Sequence, residues 1–196
     1  MANVNLFSDI YDSDREEFLR ILTTISQKKL DELSFKSLED SSNSELLKLL
    51  IVKRFLNNPQ NIKGQSLLHY AVICNNQPAV NILLENRYNP NEVDDEDRTP
   101  LHFAVMNGIN PQIIKDLLEY NADINAITER LETPLFLACT FGNKEAIEIL
   151  LSRKDCNALY PNDLGQEPIY IAYKNNNKDI INLLYNFIKE NNPQKS

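Results

Sequence analysis

Ala71, Ala104, Ala138 and Ala172 recur at a near-constant interval, and each closes a segment of the same pattern. The segments are Gly64-Gln-Ser-Leu-Leu-His-Tyr-Ala71, Asp97-Arg-Thr-Pro-Leu-His-Phe-Ala104, Leu131-Glu-Thr-Pro-Leu-Phe-Leu-Ala138 and Gly165-Gln-Glu-Pro-Ile-Tyr-Ile-Ala172. A second apolar set follows each one: Val80/Leu83/Leu84, Ile113-Ile114/Leu117/Leu118, Ile147/Leu150/Leu151 and Ile181/Leu184. A unit of this size cannot bury its own apolar face, so copies must stack on one another and share a continuous core. The chain's four glycines obey the same period. Gly64 and Gly165 sit two residues before the openers Ser66 and Glu167, and Gly108 and Gly142 sit nine residues after Thr99 and Thr133.

Each position has a physical reason. Thr99 and Thr133 suit helix N-caps, and Pro100, Pro134 and Pro168 fall at the first helical position, where no N–H is missed. The alanines are small because the first helix of one repeat packs closely on the next. Gly108 and Gly142 suit the left-handed position that ends this helix, with Asn75 and Asn176 as the next best residue there. The second apolar set recurs at i, i+3, i+4 and predicts a second helix. Polar stretches at residues 92–98 and 127–132 are expected to form hairpin-like fingers, and two repeats close on Asn91 and Asn125.

This pattern resembles the ankyrin repeat, whose consensus carries T-P-L-H-x-A and a following L-L-x-x-G-A-D-x-N. The match covers roughly residues 58–190, and Thr99-Pro-Leu-His-Phe-Ala104 with Asn121-Ala-Asp-Ile-Asn125 is close to complete. Ser66 and Leu67 depart from it in the first copy, Phe136 in the third, and Glu167 and Tyr170 in the fourth. The resemblance implies an all-α solenoid acting as one unit. It implies that His69 and His102 bond backbone at repeat junctions, a structural role. It also implies a partner protein held by finger tips and the exposed face of the first helix. Carried over residue by residue, those positions are Lys63, Gln65, Ile73 and Cys74, then Asp95, Glu96, Arg98, Met106 and Asn107. The third copy gives Glu129, Arg130, Glu132, Thr140 and Phe141, and the fourth Leu164, Gln166, Lys174 and Asn175. Ile73, Met106 and Phe141 could form one apolar strip flanked by Arg98 and Arg130.

Residues 1–57 lack T-P-L-H, yet Leu47, Leu50 and Ile51 lie one repeat period before Val80, Leu83 and Leu84. Residues 44–57 therefore read as the second helix of a degenerate first repeat. Upstream, Ser13 is expected to cap a helix over residues 14–30 that serves as an N-terminal cap. Residues 191–196 read as a short polar tail.

Composition excludes several functions. The net charge of −8 argues against nucleic acid, which requires a basic face, and favours a protein partner with a basic patch. The run Asp94-Asp95-Glu96-Asp97 lacks EF-hand spacing and reads first as a solvated finger tip, then as a dock for Lys or Arg. No apolar run approaches bilayer length and no secretory leader is visible, so a cytoplasmic, possibly nuclear or host-cytosolic, monomer is expected. Cys74, Cys139 and Cys156 read as free thiols, without metal-binding spacing. Neither histidine has a nucleophile beside it and no glycine pair cradles phosphate, so no catalytic residue, cofactor or metal is expected. The abundance of asparagine reads as a compositional bias without mechanism.

The function expected is a non-enzymatic interaction module: adaptor, masking inhibitor or pathogen effector. The alternative is a small enzyme or docking element in residues 1–57, with the repeats recruiting its substrate. Deleting residues 1–40 separates the two. Loss of solubility marks a cap, whereas a soluble array without activity marks an enzyme or docking element.

Overall fold

A computed structural model describes residues 20, 24, 26–39, 44–52, 59–106 and 108–191. Those residues are all-α; an isolated bridge between Gln60 and Ser66 is the nearest approach to a strand among them. The chain clusters into two compact units, Met1–Tyr88 and Asn89–Ser196, and each is taken by itself.

The first unit holds α1 (Gln27–Leu38), α2 (Ser44–Val52), α3 (Leu67–Ile73) and α4 (Gln77–Glu85). Helix α1 packs on α2 and α3, and α2 and α3 each pack on α4. The second unit holds α5 (Pro100–Ala104), α6 (Pro111–Glu119), α7 (Pro134–Phe141), α8 (Lys144–Leu151), α9 (Pro168–Lys174) and α10 (Lys178–Asn191). There α5, α7 and α9 form one layer and α6, α8 and α10 the other, each helix touching its partner and its successor. All four repeat alanines are fully buried. A larger side chain at any of them would cost about 1–3 kcal/mol by overpacking.

The first helices start as the sequence predicts. Ser66, Thr99, Thr133 and Glu167 are extended N-caps, and Pro100, Pro134 and Pro168 follow at the first helical position. Thr133 Oγ1 accepts the Phe136 N–H at 3.2 Å. Helix ends are more varied. Gly142 closes α7 with φ of 68°, and Asn75 and Asn176 are left-handed at 54° and 51°. A Cβ on Gly142 would meet nothing within 4 Å, so its backbone angle and not crowding selects glycine. Gly108 is also left-handed, at 84°, but it does not close its helix: α5 ends at Ala104, three residues short of the length α7 reaches.

Two expectations need correction. Ser13 and most of residues 14–30 lie outside the described residues, but a continuous helix over that span is ruled out at Ser26. Ser26 is extended (ψ 153°) and its Oγ accepts the Lys29 N–H at 3.4 Å, so α1 begins anew at Gln27 and runs on to Leu38. Its apolar face (Leu30, Leu33, Leu38) is interrupted by Ser34 and Ser37, which obscures the helical period. Both serines are buried, and their hydroxyls bond back to the carbonyls of Asp31 and Ser34 at 2.7 Å.

The second correction concerns asparagine, which is far from a mere bias. Asn76, Asn110 and Asn143, each one repeat period from the next, N-cap α4, α6 and α8. Asn143 does more than cap: its Oδ1 accepts the Ala146 N–H at 3.1 Å, while its Nδ2 donates to the carbonyls of Val105 and Met106 at 3.0 and 3.1 Å. It thereby satisfies carbonyls that the short α5 leaves open. Asn76 does the same in the first unit, donating to the Leu38 carbonyl at 2.9 Å. Asn143→Ala is expected to cost about 1–2 kcal/mol in urea denaturation. Asn143→Asp, which keeps the cap but loses the donor, should fall between it and wild type.

Candidate functional site

The fingers of the second unit are built on one repeated turn. Asp94, Thr128 and Asn162 each donate a backbone N–H to the carbonyl four residues on, at 3.0, 3.1 and 3.0 Å. Each side chain then accepts two backbone N–H groups, two and four residues on. Asp94 Oδ1 takes those of Glu96 and Arg98 at 3.0 and 2.9 Å. Thr128 Oγ1 takes those of Arg130 and Glu132 at 3.2 and 3.3 Å, and Asn162 Oδ1 those of Leu164 and Gln166 at 3.1 and 2.9 Å. Asn61 repeats the arrangement in the first unit with Lys63 and Gln65. The chain must turn left-handed within each finger, and does so at Gly64, Asp97, Leu131 and Gly165. Leu131 takes this conformation at φ 56° without the freedom of glycine, so it carries strain that Gly165 avoids.

Adjacent fingers are tied together. The Glu129 N–H donates to the Glu96 carbonyl at 3.1 Å, and the Asp163 N–H to the Arg130 carbonyl at 3.0 Å. Below them Asn91 Nδ2 donates to the Asn121 carbonyl at 2.9 Å and its Oδ1 accepts the Asp123 N–H at 2.7 Å. Asn125 repeats this with the Asp155 carbonyl and the Asn157 N–H at 2.7 and 2.8 Å. His102 adds a further bridge. Its Nδ1 accepts the Thr99 N–H at 3.0 Å, which places the proton on Nε2, and Nε2 reaches the carbonyls of Ala126 and Glu132, each at 3.1 Å.

The two fingers at residues 92–98 and 127–132 and the ends of α5 and α7 enclose a cleft of about 320 Å³. Met106, Leu137 and Phe141 supply apolar wall, and Glu96, Arg98, Thr128, Glu129, Arg130 and Glu132 supply the polar side.

A family model described as "Ankyrin repeats (3 copies)" matches residues 37–128 and again 110–195. The chain belongs to the ankyrin-repeat family. Ankyrin repeats are protein-interaction modules. The human transient receptor potential cation channel subfamily A member 1 is 35% identical over 130 residues, 65% of this chain and 11% of that protein. The ankyrin repeat protein FPV031 of fowlpox virus is 35% identical over 116 residues, 57% of this chain and 34% of its own. The nuclear factor NF-kappa-B p105 subunit of Rattus norvegicus is 31% identical over 144 residues, 69% of this chain and 15% of its own. The chain thus spans about a tenth to a third of the length of these relatives.

Within this ankyrin framework the expected partner-binding residues separate. Glu96, Arg98, Met106, Arg130, Glu132 and Phe141 all line the cleft. Asp95 is exposed on the finger tip, Thr140 is exposed with its hydroxyl bonded to the Phe136 carbonyl at 3.0 Å, and Lys174 is exposed at the end of α9; none of the three lines it. Ile73 is exposed on α3 in the first unit, and Asn107 lies outside the described residues. Gln65, expected on a finger tip, is buried, with its side chain accepting from Asn61 Nδ2 at 2.9 Å.

The acidic run also divides. Asp94 is buried and is neither solvated nor available for docking. Burial opposes its charge, but two N–H groups and the Arg98 guanidinium (Nη2 at 2.8 Å, Nε at 3.0 Å) outweigh that and lower its pKa. Arg98 also meets Glu96 at 3.1 Å and lies 4.7 Å from the Phe103 ring centre, so much of its bonding capacity serves the finger. The signal for this was present in the sequence, because Asn61, Asp94, Thr128 and Asn162 share one phase. Four different spacings of charge around them hide it.

Among the described residues no three His, Cys, Asp or Glu side chains gather as metal ligands, and no helix is long and apolar enough to cross a membrane. Burial pushes the Cys139 and Cys156 thiols up to about 12, which suits inert core positions. Burial likewise lowers His102 to about 4, against the opposing pull of the Glu132 and Ala126 carbonyls. Unfolded histidine titrates near 6.5, so between that pH and 4 the unfolded chain takes up a proton that the folded chain refuses. The His102 contribution is full above pH 6.5 and falls by about 3 kcal/mol on descending to pH 4. The stability advantage of wild type over His102→Gln should shrink by that amount across the window. Parallel stability curves would contradict the assignment.

Proposed function

We propose that the chain is a non-enzymatic binding module whose second unit holds a partner protein in the cleft between the two fingers. The observation carrying this reading is the convergence of Met106, Leu137 and Phe141 with five charged side chains on one concavity. Apolar wall with a polar rim is the composition of interface anchors. Phe141 is 40% exposed, so it carries apolar area that a partner can cover. The fingers are fixed by backbone bonds before any partner arrives, so binding orders little and loses little entropy. Such a face serves an adaptor, a masking inhibitor or an effector equally well, and residues 1–57 then act as the array's N-terminal cap.

Affinity capture from the cytosol in which the protein acts, with wild type and Met106→Ala/Phe141→Ala as baits, tests the reading. Recovery of the partner should drop at least tenfold with the double variant and stay unchanged with Glu145→Gln, an exposed α8 residue outside the cleft. Equal recovery by all three baits would remove the cleft from the interface.

A further inference from the structure

Resting on that reading of the cleft, we infer that its occupant is a single arginine side chain of the partner. The stem would lie along Met106, Leu137 and Phe141, and the guanidinium would sit between Glu129 and Glu132. The charges of the cleft select a cation. Arg98 is already met by Asp94 at 2.8 Å and by Glu96 at 3.1 Å. Among the described residues neither Glu129 nor Glu132 makes an ion pair within 4.0 Å, and Arg130 is the cation that acts on Glu132. Glu132 is half-buried, and Asp163 adds a further negative charge nearby. A cation entering here finds two carboxylates that hold no ion pair, one of them half-buried.

The shape selects arginine over lysine. Two carboxylates spaced along one finger suit a planar fork with several donors better than a point charge. A guanidinium also packs over an aromatic face, and Phe141 lines the same cleft. The same finger pair already uses this combination internally: Arg98 lies over Phe103 while two carboxylates hold its nitrogens. The cleft brings the same residue types, Phe141 with Glu129 and Glu132, onto one concavity.

Selection of a displayed random dodecapeptide library on the full chain tests this. Enriched peptides should share an arginine at one position. Their affinity should fall at least tenfold when that arginine is replaced by citrulline, its neutral isostere, and at least tenfold on Glu129→Gln/Glu132→Gln. Replacement of the arginine by lysine should weaken binding by a smaller factor. Peptides that lose binding on Met106→Ala/Phe141→Ala yet tolerate citrulline or the double Gln variant would overturn the arginine inference and leave the cleft as the interface. Peptides indifferent to Met106→Ala/Phe141→Ala, or no enrichment at all, would overturn both.

Discussion

One side chain at the base of each finger, accepting two backbone N–H groups, is the interaction on which the rest of this structure depends. Asp94, Thr128 and Asn162 perform it in the second unit with three different chemistries. Without it the finger would carry unpaired donors at a bend, where no helix or sheet can satisfy them. With it, the tip is fixed closely enough for the next finger to bond to it, and for Asn91, Asn125 and His102 to tie the loops below. The apolar layers supply the bulk of the stability, but they do not by themselves set where the fingers stand.

That division explains why the charged residues of the fingers differ in role although they are neighbours in sequence. Asp94 and Arg98 are consumed by the scaffold, and Glu96 is partly drawn in with them. Glu129, Arg130 and Glu132 belong to a finger whose base is Thr128, an uncharged acceptor that needs no counter-ion, so their charges remain directed to the cleft. A single change of acceptor type between successive repeats thus leaves charge on the cleft wall that the neighbouring finger uses internally.

Much of the fold was legible because the constraints on it are local and periodic. Prolines at the first helical turn, caps before them and buried alanines depend on a few neighbouring residues, and all recur at a fixed phase. The misses have physical causes too. Helix α1 escaped notice because Ser34 and Ser37 bury polar side chains by bonding them back to the helix, which breaks the apolar period. Gly108 promised a helix as long as α7, yet α5 stops early and relies on Asn143, a residue from the next repeat, to satisfy its carbonyls. Asp94 looked like part of a solvated run because charge, read along a chain, says nothing about which member turns inward. The cleft itself was half legible. Met106 and Phe141 could be placed at adjacent phases, but Leu137 and Thr128 join them only through the packing of α7 and the finger turn.

Amide hydrogen exchange resolved to single residues tests the central claim most directly. Asp123, Glu129, Asn157 and Asp163 are exposed residues outside the helices, and exposure alone would make their amides exchange as fast as an open loop. If junction bonds fix the fingers, these four amides exchange as slowly as those of the buried core of α8, through unfolding of the unit as a whole. Exchange at open-loop rates, while the α8 amides stay protected, would contradict the account.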